Sequence, residues 1–283
     1  NTEGLENTAV GRFALCANVT GDNNTAVGKA AFQKITTNNN TAVGMEAGAC
    51  TTSGFATVVG YRAMKANTTS SGGTAMGYQA LCSNTTGDNN TAFGLETLSK
   101  NTTGTNNTAV GRDALEVNTT GENNTAMGFE AGKANTTGSG NTAVGKDALL
   151  TNTTGSTNTA VGLCALNANT TASDNTAVGR GAMKLNTTGT SNVAVGRNAL
   201  QANTTSDFNT ALGRDALVAN ETGDGQNTAV GYQSLDSNTT GSQNVGVGVN
   251  ALGANSTGVC NVSIGKSNLF ANSTGACNTS MGT

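Results

Sequence analysis

The sequence predicts an all-β fold, a parallel β-solenoid (β-roll) of about 17 coils with about 17 residues per coil. Three observations predict it. A glycine follows an apolar residue at Gly11, Gly28, Gly44, Gly60, Gly77, Gly94, Gly111, Gly128, Gly145, Gly162, Gly179, Gly196, Gly213, Gly231, Gly248, Gly265 and Gly282, at intervals of 17 apart from two of 16 and one of 18. A short strand-like Thr-Ala-Val or a close variant precedes that glycine, and an Asn-x-Thr element, often Asn-Thr-Thr-Gly, follows in nearly every period. Self-similarity at so short a period means stacked units that cover one another's apolar faces.

With Asn107 as slot 1 and Gly111 as slot 5, each part of the coil has a reason. Slot 4 is apolar in all 17 copies, with Met76, Phe93, Met127, Leu212, Ile264 and Met281 among the valines. Slot 2 is threonine except at Val193, Val245 and Val262. Thr and Val share a shape, so slots 2 and 4 are expected to point inward together on one strand face. Slot 3 then points outward. Its constant smallness calls for close packing against another sheet of the coil or another chain. Glycine at slot 5 turns the corner with positive φ. Slots 6 and 7 often pair a base with an acid, as in Arg112-Asp113, Lys146-Asp147 and Arg214-Asp215, a solvated corner.

Slot 8 is mostly alanine, and slot 9, mostly leucine, is the second core position. Gly48 and Gly132 leave slot 9 empty, and Met45 and Phe129 at slot 6 are expected to fill the gaps. Slots 12–15, Asn-Thr-Thr-Gly, form the second corner, with Ile35 and Cys50 replacing the slot-12 asparagine. Asp224-Gly225-Gln226 carries the single insertion and reads as an outward bulge. No linker interrupts the repeat, so residues 1–283 read as one continuous array. The sequence opens mid-coil at Asn1-Thr2-Glu3-Gly4 and closes at Gly282-Thr283 without a polar cap. Uncapped coils suggest a segment of a longer fibre, or subunits stacking end to end.

Composition narrows the function classes. Charged residues are 11% and net charge is −3, which offers nothing to nucleic acid or to an anionic membrane. No apolar run is long enough to insert in a bilayer, and no signal peptide is visible. With no histidine, no convergent carboxylate pair and no phosphate-binding loop, no enzyme, cofactor or metal centre is expected. Of the six cysteines, Cys260 and Cys277 share slot 17 in successive coils, within disulfide reach of one another. Cys16, Cys50, Cys82 and Cys164 are left free or intermolecular.

The slot-12 asparagines Asn18, Asn67, Asn84, Asn101, Asn118, Asn135, Asn152, Asn169, Asn186, Asn203, Asn220, Asn238, Asn255 and Asn272 all stand in formal N-glycosylation sequons. Two readings stay open. They accept glycans on an extracellular surface, or they stack as a bare side-chain ladder, since branched glycans about 4.8 Å apart would crowd. Threonine ranks also suit ice binding if slot 13 faces out. A sugar site would show as a local break with exposed aromatics, and Tyr61 and Tyr78, both at slot 6, are the only hint.

Slots 1–9, Asn-Thr-Ala-Val-Gly-x-x-Ala-Leu, resemble the head repeats of YadA-like trimeric autotransporter adhesins and related phage and bacterial fibre repeats. The resemblance implies a parallel β-roll, often trimeric, serving as a surface fibre or adhesin. The period of 17 and the added Asn-Thr-Thr-Gly depart from that family's pattern. The expectation is therefore a structural subunit of an extracellular fibre, associating with copies of itself and open to glycan decoration. The alternative is an adhesin or an ice- or glycan-binding module.

Overall fold

The structure, a computed structural model, describes residues 3–282. Asn1, Thr2 and Thr283, which carry part of the end-stacking expectation, lie outside them. The described residues are all-β, and each strand is a three-residue piece at slots 2–4. The chain divides into two compact units, Asn1–Gly140 and Asn141–Thr283. The first runs from β1 (Thr8–Val10) to β8 (Thr125–Met127), the second from β9 (Thr142–Val144) to β17 (Thr279–Met281). Within each unit, every strand pairs in parallel with the next strand in sequence. The register sets Thr91 against Thr108 and Ala92 against Ala109 in the first unit, and Thr159 against Thr176 in the second. Each unit is thus a parallel solenoid with one strand per coil.

The strand faces are the reverse of the sequence expectation. Slots 2 and 4 do share a face, but it points outward. Phe93, Met127, Val195 and Leu212 at slot 4 are exposed, whereas Ala92, Ala109, Ala160 and Ala177 at slot 3 are fully buried. The coil is so thin that only a small side chain fits between the strand and the far wall: mostly alanine, with Val58 and Ser263 also fully buried. Persistent smallness at slot 3 reports packing inside the same coil. The core of a coil is therefore Ala109, Ala114 and Leu115, or the equivalent three side chains elsewhere.

Slots 5–12 form no second strand. They run as overlapping turns, with N–H to C=O bonds from Ala114 to Gly111, Glu116 to Asp113 and Asn118 to Leu115. Slots 7, 9 and 17 all have positive φ, including non-glycine residues such as Asp113 (58°), Leu115 (49°) and Asn123 (57°). Left-handed backbone costs a side chain on the order of 1 kcal/mol or more. The stack tolerates it because neighbouring coils take up the freed backbone groups: Leu98 N–H donates to Ala114 O and Asp113 N–H to Leu95 O.

At slot 5 the glycine is required twice over. Gly111 has φ +126°, and a Cβ there would lie 2.5 Å from the carbonyl oxygen of Gly128.

The two empty slot-9 sites are filled by the preceding coil. Met45 and Phe129 stay outside, 39% and 38% exposed. The Phe32 ring instead occupies the place of a Cβ on Gly48, and Leu115 Cδ2 comes within 3.1 Å of that position on Gly132. The slot-12 replacement in the third coil is Thr51 rather than Cys50: Thr51 is buried and its N–H donates to Gly48 O, as slot-12 residues do. The insertion does bulge outward, with residues 221–224 exposed and Gly225 folded in against Asp207.

Another repair couples slots 1, 9 and 15. Gly73 lacks the slot-1 asparagine, and Met64 Cε occupies the space of the missing Cβ. Ser70 Oγ is then the one buried side-chain oxygen without a hydrogen-bond partner among the described residues. In the second unit the matching Ser206 Oγ accepts from Asn209 Nδ2 at 2.9 Å. Gly73→Asn alone should lose about 1–3 kcal/mol by overpacking. Combined with Met64→Leu, it should recover that loss, with a coupling of about 1–2 kcal/mol in a urea-melt double-mutant cycle.

Candidate functional site

All but one of the fourteen sequon asparagines are buried, Asn272 in the last full coil being half-buried. Their side chains hold the coil together. Asn118 Nδ2 donates to Asn101 Oδ1 at 2.9 Å in the coil before and to Gly121 O at 3.0 Å in its own. Its Oδ1 accepts from Asn135 Nδ2 at 2.7 Å in the coil after. In the second unit Asn186, Asn203 and Asn220 repeat the ladder at 3.0, 2.7 and 3.0 Å. The slot-1 asparagines form a parallel ladder: Asn107 Nδ2 donates to Gly121 O at 2.9 Å and its N–H to Asn90 Oδ1 at 2.9 Å. One glycine carbonyl thus ties slots 1, 12 and 15 and closes the coil. A glycan on Nδ2 would need the space and the donors that this closure uses.

Cys260 and Cys277 are free, as are the other four cysteines, so the expected bridge is not present. Cys260 Sγ turns to Gln243 Oε1 at 3.1 Å, in the coil on the side away from Cys277. Tyr61 and Tyr78 stack on each other, 5.3 Å between centroids and 19° between planes, with the Arg62 guanidinium 5.1 Å from the Tyr61 centroid. The Tyr61 ring is thus flanked by both neighbours, while Tyr78 remains exposed. Beside them, Glu46 lies below the usual carboxylate range. The main cause is a hydrogen bond from Lys65, which outweighs the upward push of burial, and Arg62 at 2.9 Å adds to it. Burial pushes Asp236 up against the pull of its backbone donors. The nearby Asp215 charge adds to the rise at Asp236.

Most slot-13 threonines from Thr85 on are half-buried and spend their hydroxyls on the stack, as Thr102 Oγ1 does on Thr119 O at 3.0 Å, whereas Thr36 is exposed. The outward lattice lies instead on the strand face. There Thr and an apolar residue alternate across slots 2 and 4, with no charge in either column. In the first unit this face continues into slot 6, where Met45, Tyr78, Leu95 and Phe129 are also exposed.

A second feature escaped the sequence reading. The two 16-residue intervals fall in adjacent coils, 24–39 and 40–55. Both coils lack slot 16, and a notch of about 390 Å³ opens there, lined by Thr36, Thr37, Asn38, Asn39, Gly54 and Phe55. Phe55 is 71% exposed. The signal was present as two short intervals beside an aromatic residue at slot 17.

No protein-family model, curated protein or solved structure matches this chain.

Proposed function

We propose that this chain is a structural segment of an extracellular fibre that associates with copies of itself through the strand face. The observation carrying this reading is the uncharged outward column at slot 4, repeated in register and half-exposed along each unit. Contiguous exposed apolar surface of this kind marks a contact surface. The coil interior needs none of these side chains, so their constant apolar character points to something outside the coil. The asparagine ladders and the alanine–leucine core hold each coil to its neighbours.

A second reading shares the same face. A flat lattice of Thr and Val columns about 4.8 Å apart also suits the ordered water of an ice surface.

One variant tests both. Phe93→Lys with Val195→Lys places a charge on the strand face of each unit and should leave folding stability within about 0.5 kcal/mol per site. Sedimentation velocity should show concentration-dependent association of the parent chain and a species near 28.0 kDa for the variant. A parent chain that stays monomeric at high concentration overturns self-association. Thermal hysteresis lost in the variant would then support the ice reading.

A further inference from the structure

We infer that the notch at Thr36–Asn39 and Gly54–Phe55 is a binding site for a neutral saccharide, with one face of a sugar ring on Phe55. It lies at slots 13–17, apart from the strand face, and does not depend on self-association.

The notch has a physical origin in the repeat. Slot 16 is occupied by Asp22 in the coil before and by Ser71 in the coil after. Elsewhere the slot-16 carbonyl receives the N–H of slot 17 from the next coil, as Asp22 O does from Asn39 at 3.0 Å and Ser71 O from Asn89 at 3.0 Å. Two successive coils without slot 16 leave an indentation one residue deep and two coils tall. The Phe55 N–H therefore has no such carbonyl to meet and makes no hydrogen bond to the described residues.

The chemistry of the lining fits a sugar. Phe55 is held at φ 64° with most of its ring in solvent. An aromatic ring kept in water is costly, and the apolar C–H face of a pyranose would cover it. Around the ring stand groups that both donate and accept. The Asn39 amide and the Thr36 hydroxyl make no hydrogen bond to the described residues, and Asn38 uses only its Oδ1, which accepts from Asp22 N–H at 2.8 Å. An amide matches the paired donor and acceptor character of vicinal hydroxyls. No lining residue is charged, so nothing there selects an ion. The volume lies within the roughly 300–1,000 Å³ typical of small-ligand sites.

Phe208 provides an internal comparison. It occupies slot 17 and is 59% exposed, but its coil keeps slot 16, filled by Asp207. It presents the same ring without the notch.

The test is saturation-transfer difference NMR on the intact chain, with glucose, galactose, mannose and N-acetylglucosamine as probes. At least one sugar should give transfer with a Kd on the order of 1 mM, as expected of a small, open site. Phe55→Ala should abolish the signal and Phe208→Ala should leave it unchanged. Inserting an aspartate between Gly54 and Phe55 restores a full coil while keeping the ring, and it should also abolish binding. Circular dichroism unchanged from the parent shows that each variant is folded. The inference is overturned if no sugar gives transfer, if Phe55→Ala retains it, or if Phe208→Ala loses it equally.

Discussion

Replacing Gly111, one of the recurring corner glycines, by alanine is expected to destabilise the first unit by about 2–6 kcal/mol. Two costs add. The residue sits at φ +126°, a region that strains any side chain by about 1–3 kcal/mol. The new Cβ would also lie 2.5 Å from Gly128 O and 2.8 Å from its carbonyl carbon, both rigid backbone. Overpacking of that kind costs about 1–3 kcal/mol. Relief requires moving one coil against the next, which disturbs bonds such as Gly111 N–H to Phe93 O at 2.8 Å. Because each coil contacts only its neighbours, the defect should act as a local break. Urea unfolding followed by circular dichroism should show a broadened or two-step transition. A Gly111→Ala variant as stable as the parent would show that the coils are not packed this closely.

The second large effect is expected at the asparagine ladder. In Asn118→Asp, a carboxylate oxygen replaces the Nδ2 that donates to Asn101 Oδ1 and Gly121 O. Two attractive contacts become repulsive, and the charge is buried. A loss of about 3–5 kcal/mol at neutral pH follows, the usual size for an uncompensated buried charge. The pH dependence has a definite sign. Burial raises the folded-state pKa of the new carboxyl above its unfolded value of about 3.9. Between the unfolded pKa and the raised folded one the unfolded state holds fewer protons, so stability falls as pH rises through that window and the penalty is complete above it. It shrinks as pH falls through the raised folded pKa towards the unfolded one.

Thr120→Ala makes the matching control. Thr120 is exposed, and its loss abolishes the Asn118-Thr119-Thr120 sequon without touching the ladder. It should cost no more than about 0.5 kcal/mol. If the two substitutions cost the same, the ladder is not what stabilises the coil.

The tandem period, the strand at slots 2–4, the glycine corner and the leucine core are all legible in the sequence, because each leaves a residue type that recurs. The pairing of slots 2 and 4 on one face is legible as well, since strand alternation is local. Which face turns inward was not. Thr and Val suit either side of a strand, and the choice rests on the width of the coil, set by Ala114 and Leu115 packing across from Ala109.

The slot-12 asparagines show the same limit. A sequon and an internal ladder share one pattern, and only the path of the chain puts Gly121 O within reach of both Asn107 and Asn118. The left-handed leucines at slot 9 are invisible in any local preference, which disfavours them. They become affordable because the neighbouring coil supplies the hydrogen bond, as Ala114 O does for Leu98. Sequence alone therefore determined that the chain stacks, and at what period. The tertiary stack decided which side chains are hidden, since burial depends on a distance across the coil that no single repeat contains.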